Sequence, residues 1–446
     1  MSFNKTGSRK MKNHKMLAKK TLLRTVLAGL SFILVYSAAA ETQDDSEPFE
    51  ITGFVEERIG SRFNQDPNQK DATVLDLRLQ LDVSKDFENV SFNLVMDLIA
   101  DTVLEDYATD LQTGEGLVDL RQANMVFSPL DDVDIKIGRQ ILTWGTGDLL
   151  FINDLFAKDW NAFLIGRDVE YLKAPTDTIK MSWFNDVINM DFVYTAKFGA
   201  DRYIDGKRIS FFDRATNLRR GNEAPLLVNR PDDAFSDDEV AVRFYRNFDV
   251  YEAALYFYDG FWKSPAGLDS VTGNATFPSL KVVGASLRGP VAKGIGNIEL
   301  GYYKSDDNAS DDPLKRNSEY RYLIGFEQEV ATELTFGAQF YLEQKLDYQE
   351  YLSSLPVSAI ADEQYRRVLT LRLTKLLLGQ NLRLSLFNFY SPSDEDGYTR
   401  ASVSYKLTDA LKLGLGINYF YGEQAHTFYN QFDENNNAYL FVRYGF

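Results

Sequence analysis

The chain holds two histidines, His14 and His426, and His14 lies in a strongly basic N-terminal stretch. A serine hydrolase built on this sequence would therefore have to take its general base from His426, since a serine hydroxyl normally needs an imidazole partner. No Gly-x-Ser-x-Gly, His-Glu-x-x-His or Walker A run accompanies it. Gly145-Thr146-Gly147 is too short for a nucleotide loop. There is no cysteine, which excludes a disulfide framework and a thiolate metal site. The acidic runs Ser305-Asp306-Asp307-Asn308, Ser393 to Gly397 and Asp433 to Asn437 lack EF-hand spacing and read as solvated turns. No catalytic residue, metal ligand or cofactor is expected.

The charges that do fall in a pattern alternate with apolar residues. Glu252, Glu299, Glu327, Glu333 and Glu343 occupy one parity of the segments near 250–345, with Arg321 as an exception. Arg372, Arg383, Arg400, Lys406 and Arg443 occupy the same parity near 364–446. If those segments are neighbouring strands of a closed sheet, they form an acidic and a basic wall facing one lumen. A field between such walls orients dipolar solutes and rejects apolar ones.

A third group lies in a long connection, 145–177. It carries Asp148, Asp154, Lys158, Asp159, Arg167 and Asp168 among Leu149, Leu150, Phe151, Ile152, Leu155, Phe156, Trp160, Phe163, Leu164 and Ile165. So long a loop with so many apolar groups must pack on something. The expectation is a constriction loop that seats its apolar face on the lumen wall and turns its charges toward solute. The alternatives are a cap over the outer rim or a contact between subunits.

These groups need strands to position them, and period-two alternation supplies them. Leu75, Leu77, Leu79, Leu81 and Val83 alternate with Asp76, Arg78, Gln80 and Asp82. Leu334, Phe336, Ala338, Phe340 and Leu342 alternate with Thr335, Gln339 and Glu343, and Ala438, Leu440, Val442 and Tyr444 with Tyr439, Phe441 and Arg443. Connections fall into two alternating classes. Short ones lie near 85–89, 128–131, 187, 248–249, 291–293, 331, 379 and 408–409. Long ones lie near 63–72, 101–116, 145–177, 199–238, 260–278, 305–317, 346–363, 392–395 and 422–436. Eight short and nine long connections make eighteen strands. Gly166–Lys173 also looks extended, but a nineteenth strand would break the even parity of such barrels, so it is assigned to a loop. The fold class expected is all-β: an antiparallel up-and-down transmembrane barrel with short periplasmic turns and long extracellular loops.

The first forty residues stand apart. Eight Lys and Arg without an acid, the apolar run Val26–Val35 and Ser37-Ala38-Ala39-Ala40 form a secretory signal peptide, with cleavage expected after Ala40. Residues 41–48 would be a short periplasmic segment and 49–446 the barrel. The whole chain has 48 Lys and Arg against 65 Asp and Glu; without the signal the balance is 40 against 65, a net −25. That excludes nucleic acid as a partner on electrostatic grounds.

Two stretches resemble known proteins. The last strand, ending Tyr444-Gly445-Phe446, resembles the C-terminal signature of Gram-negative outer-membrane β-barrels. That resemblance implies that Tyr444 and Phe446 are presented to the barrel-assembly machinery. Leu120-Arg121-Gln122-Ala123-Asn124, then Ile137-Gly138-Arg139-Gln140, then Trp144-Gly145-Thr146-Gly147-Asp148 and Asn153-Asp154 resemble a poorly characterised group of porin-like outer-membrane proteins. The Gly-Arg-Gln strand is also similar to that of alginate-export barrels. The usual Asn-Pro-x-Asp turn is replaced here by Ala157-Lys158-Asp159. The resemblance implies a barrel and names no substrate. Trp144 is expected at the membrane interface. Arg139 shares the parity of Ile135 and Ile137, so a bulge at Gly138 is expected to turn it into the pore.

The reading is an integral outer-membrane channel for passive diffusion of small polar solutes, in contact with lipopolysaccharide. Its oligomeric state is left open. The alternatives are a barrel enzyme using His426 and a structural or adhesive surface protein.

Overall fold

The computed structural model describes residues 49–446 except 106, 215, 307–309 and 358. The expected signal peptide, 1–40, and the expected periplasmic segment, 41–48, lie outside the described residues.

Eighteen strands form one antiparallel sheet. They are β1 Glu50–Arg62, β2 Ala72–Asp86, β3 Val90–Asp101, β4 Val118–Leu130, β5 Val133–Gln140 and β6 Thr176–Trp183. Then come β7 Asn189–Thr195, β8 Glu239–Phe248, β9 Tyr251–Phe261, β10 Ser279–Val291, β11 Gly294–Ser305 and β12 Glu319–Ala331. The last six are β13 Leu334–Lys345, β14 Tyr365–Leu377, β15 Leu382–Ser391, β16 Asp396–Lys406, β17 Leu411–Gly422 and β18 Asn437–Gly445. Each pairs with its sequence neighbour, and β1 pairs with β18 from Phe54↔Gly445 to Arg62↔Asn437. The ring is therefore closed and leaves no edge strand, the condition for a sheet in lipid. The backbone of Phe446 adds a reciprocal pair of 3.0 Å bonds with Gly53. Gly166–Lys173 holds no strand, and the count is the eighteen expected.

Burial inverts the usual order of a globular protein. On β1 the inward row contains Glu56, Arg58 and Arg62, all buried, while Ile51 and Ile59 on the other face are exposed. On β2 and β3 the buried residues include Asp76, Arg78 and Asp97, and the exposed ones Leu75, Phe92 and Leu94. On β9 to β12 the outer face shows Leu255, Phe257, Val283, Leu300 and Ile324. Charged inside and apolar outside is the pattern of a transmembrane barrel. Tyr320, Tyr390 and Tyr419 on one side, and Phe248, Tyr251, Tyr405 and Tyr444 on the other, edge that outer face. Glu57 is an exception: it is exposed on the outer face of β1, paired with Leu77 and Val442.

The lumen is not empty. Between β5 and β6 the chain forms α1, Trp160–Leu164, and a turn of 3-10 helix, Val169–Leu172. These belong to an aromatic-rich core with Phe389, Tyr398, Phe420, Tyr439 and Phe441, which lie on β15 to β18.

Candidate functional site

The connection between β5 and β6 runs from residue 141 to 175, against the expected 145–177. Its first half lies on β10 to β14. Glu299 of β11, 1% exposed, accepts several bonds from it. One oxygen takes the N–H of Gly147 at 2.7 Å, the hydroxyl of Thr146 at 2.9 Å and the N–H of Thr146. The other takes the N–H of Asn153 at 3.1 Å and its Nδ2 at 2.9 Å. Gly145 has φ +79°, and a Cβ there would sit 3.0 Å from the Glu299 carboxylate. One turn on, the main chain of Asp148 bonds both ways to the Gln339 amide of β13, at 2.7 and 2.8 Å. The Asp148 carboxylate accepts from Arg372 of β14 at 2.6 Å. Burial pushes that carboxyl above its ordinary value against the pull of Arg372, and nearby Glu327 pushes the same way.

The second half of the connection reaches other strands. Arg167 pairs with Asp76 of β2 and lies 3.6 Å from Glu56 of β1, and its carbonyl accepts from Arg400 of β16. Gly166 has φ +82°, and a Cβ there would meet the Tyr439 ring. Asp168 pairs with Arg443 of β18 at 2.9 Å. The Tyr171 hydroxyl donates to Asp97 of β3 at 3.0 Å and accepts from Gln80 of β2 at 2.9 Å. Arg78 and Arg121 each stand 4.6 Å from its ring. Between the halves, Asp159 caps α1 by accepting from the Ala162 N–H at 2.7 Å. Phe163 meets Phe389 and Tyr398 edge-on at 6.4 and 5.8 Å.

β3 and β11 lie eight places apart in a ring of eighteen, almost opposite. A segment held by Glu299 at one end and by Asp97 at the other therefore crosses the lumen rather than lining one side. The next long connection, 196–238, supports it from above: Arg202 joins Asp159 at 3.2 Å to Asp119 of β4 at 2.7 Å.

The expected charges divide by what they touch. Asp154, Lys158, Asp159 and Arg167 are buried and engaged by protein. Asp154 pairs with Lys158 at 2.9 Å and accepts from Thr143 at 2.7 Å. These four hold the segment in place and do not face solute, against expectation. Asp148 and Asp168 keep part of their side-chain surface exposed, 34% and 27%. The two-wall expectation also changes. Glu252 pairs with Arg243 at 2.7 Å, and Glu343 with Arg316 at 3.1 Å. Arg321 lies 3.9 Å from Glu343 and also pairs with Glu319. Two acids of the expected acidic wall, Glu252 and Glu343, are thus neutralised by arginines, Glu299 is taken up by the crossing segment, and Arg372 and Arg443 of the basic wall meet acids. Glu333 is not on a strand: it sits half-buried in the turn between β12 and β13 with φ +55°. Arg383 and Lys406 keep the inward parity but are exposed at the short-turn ends of β15 and β16.

Arg139 stays on its original parity. Pairing runs through Gly138 without a shift on either side, Asn124↔Gly138 and Gly138↔Thr178, although Gly138 has φ +119°. The expected bulge is absent because Arg139 needs no turning inward. It is the penultimate residue of β5, at the rim, where Asp177 binds it at 3.1 Å and the Leu111 carbonyl covers it. Trp144 is not an interface residue: it lies inside, 4.9 Å from Phe156 and 6.1 Å from Tyr256.

Several participants escaped the sequence reading. Glu56, Arg58, Asp97, Asp119 and Arg121 on β1 to β4 line the far side. Their alternation with apolar neighbours was a usable signal, as it was for Asp76 and Arg78. Gln339 carried none, since an amide on an inward parity looks like any other polar residue, and Asn153 stands in the long connection, where no parity assigns a face.

Beneath Thr146–Asp148 the wall leaves a cavity of about 260 Å³, lined by Arg288, Asn297, Glu327, Gly337, Gln339, Thr370 and Arg372 among others. Arg288 and Glu327 are exposed there, two strands apart.

The architecture is shared with solved structures. OccAB1 of Acinetobacter baumannii aligns with a TM-score of 0.54 at 12% identity, covering 91% of this chain and 98% of that one. A BenF-like porin from Pseudomonas fluorescens Pf-5 gives 0.54 at 11%, covering 90% and 99%. OccK5 (OpdH) of Pseudomonas aeruginosa gives 0.53 at 10%, covering 90% and 99%. At these identities the likeness is one of porin-like barrel fold. No protein-family model and no curated protein sequence matches the chain.

Proposed function

We propose that this chain is a passive channel for small polar solutes, integral to a Gram-negative outer membrane, and not an enzyme. One observation carries the reading: a closed barrel with a charged interior is crossed by a folded segment that leaves a polar cavity beside it. A barrel of this strand number has room for an aqueous lumen, and a segment across the lumen sets what passes. The porin-like fold shared with the BenF-like porin supports the same reading. In this account the 141–175 segment is the constriction. Asp148 and Arg372 form its charged edge, and Arg288 and Glu327 are the charges a solute meets beside it. Both signs are present, so solutes with separated charge or many hydroxyls fit better than apolar ones.

Reconstitution into a planar bilayer tests this. Stepwise ohmic conductance is expected, with Arg288→Gln moving ion selectivity toward cations and Glu327→Gln toward anions. A folded, inserted barrel with no conductance above the lipid background would sink the channel reading.

A further inference from the structure

We propose that Glu299 is the positioning residue of the passage: its buried carboxylate gathers the turn Thr146–Asn153 and thereby holds Asp148 against Arg372. The inference rests on the channel reading for its consequence, but not for its geometry.

The carboxylate is 1% exposed, and among the described residues it has no arginine or lysine within ion-pair distance. Its partners are instead neutral donors of the crossing segment, three backbone N–H groups and the side chains of Thr146 and Asn153. A carboxylate can accept about four such bonds, and bonds to an ionised acceptor are roughly twice as strong as neutral ones. Other inward acids hold a loop by meeting an arginine, as Asp76 does with Arg167 and Asp119 with Arg202. Glu299 holds its loop through neutral donors. The turn is shaped to receive it. Gly145 adopts a left-handed φ with no room for a Cβ beside the carboxylate, and Asn153 reaches across to the Ala285 carbonyl at 3.2 Å. Asp148 follows Gly147 directly, and its main chain docks on Gln339 at 2.7 and 2.8 Å. Release of the turn would free Asp148 from both Gln339 and Arg372. Arg372 would then lose its ion-pair partner at the passage.

Glutamine at this position keeps the volume but offers one acceptor oxygen and turns an NH₂ toward N–H donors. The Glu299→Gln barrel should therefore assemble with a mobile turn. Two readouts separate the inference from the channel reading. Amide hydrogen exchange of Thr146, Gly147 and Asn153 in the folded protein should quicken by about tenfold or more, as expected for loss of a charge-assisted bond. The reversal potential in a KCl gradient should move toward anions and reach that of Asp148→Asn, and the double variant should move no further. Glu299→Ala should behave alike, and added formate should restore part of both signals. A merely structural role would not give that convergence or that rescue.

Unchanged exchange in Glu299→Gln would overturn the proposal. So would faster exchange with a reversal potential that still responds fully to Asp148→Asn. If wild type conducts nothing, the channel reading fails and exchange alone decides whether Glu299 holds the turn. If Glu299→Gln does not assemble, Gly145→Ala disturbs the same contact from the loop side and is judged by the same two readouts.

Discussion

Deleting Leu150–Ile165 removes the middle of the segment that crosses the lumen, and its effect can be sized from the ring. Strands about 4.8 Å apart and tilted about 40° put the eighteen-strand circumference near ~113 Å, a backbone diameter of ~36 Å. Inward side chains take about 5 Å from each side, leaving a lumen of ~26 Å and ~530 Å². A single folded segment about 10 Å wide laid across that diameter covers ~260 Å², roughly half. Conductance should therefore rise at least about twofold, if current follows open area. The rise should come with weaker discrimination, because Asp148 loses its support. The remaining residues easily join β5 to β6, which are paired neighbours. Single-channel recording on barrels that keep heat-modifiable mobility is the assay. An assembled deletion variant with wild-type conductance would place the segment outside the conducting path and refute the argument.

Other outcomes follow from the same geometry. The Asp148 carboxyl is raised above 3.8, so falling pH protonates it before ordinary carboxylates, Arg372 keeps its charge, and selectivity should shift toward anions. A raised value also means that this group favours the folded state most below its unfolded pKa, so no loss of stability from Asp148 should accompany the shift. Asp148→Asn should abolish the shift; a pH titration of reversal potential checks both. Arg167→Ala leaves Asp76 and Glu56 without one of their cations and should cost on the order of 3–5 kcal/mol, read as a lower unfolding midpoint. An unchanged midpoint would show those acids to be satisfied without it. Glu57 faces outward between apolar neighbours, so Glu57→Leu should stabilise the inserted barrel by on the order of 1 kcal/mol, read by reversible unfolding in vesicles. A destabilised Glu57→Leu barrel would mean the carboxylate has a partner on that face.

The strands were legible because one requirement, apolar outside and polar inside, acts on every residue with a period of two. Leu75 to Val83 against Asp76 to Asp82 needs no tertiary knowledge to read. The parity of short and long connections then settled the eighteen-strand ring. Reading the interior failed where a third partner decides. Glu343 looks like a solute-facing acid until Arg316 arrives from the loop before β12. Lys158 and Asp154 look like pore charges until their mutual pairing buries both. Trp144 was assigned by a residue preference for interfaces, and packing on Phe156 and Tyr256 overrode that preference. Parity gives the face of a side chain, not what lies across a lumen from it.

The crossing segment also has a consequence for the order of assembly. Its anchors are supplied by strands at both ends of the chain: Asp76 and Asp97 come early, Glu299 and Gln339 later, and Arg400 and Arg443 near the end. No intermediate that lacks the last strands can offer the full set, and contacts of such long sequence separation form slowly. Hairpins can therefore zip into an open sheet while residues 141–175 remain undocked. Ring closure at β1 and β18 comes next, where Glu56 meets Arg443 at 2.6 Å. Only then is the socket for Arg167 and Asp168 complete. Defects in the segment should accordingly spare insertion and appear late, as barrels that close on schedule and leak.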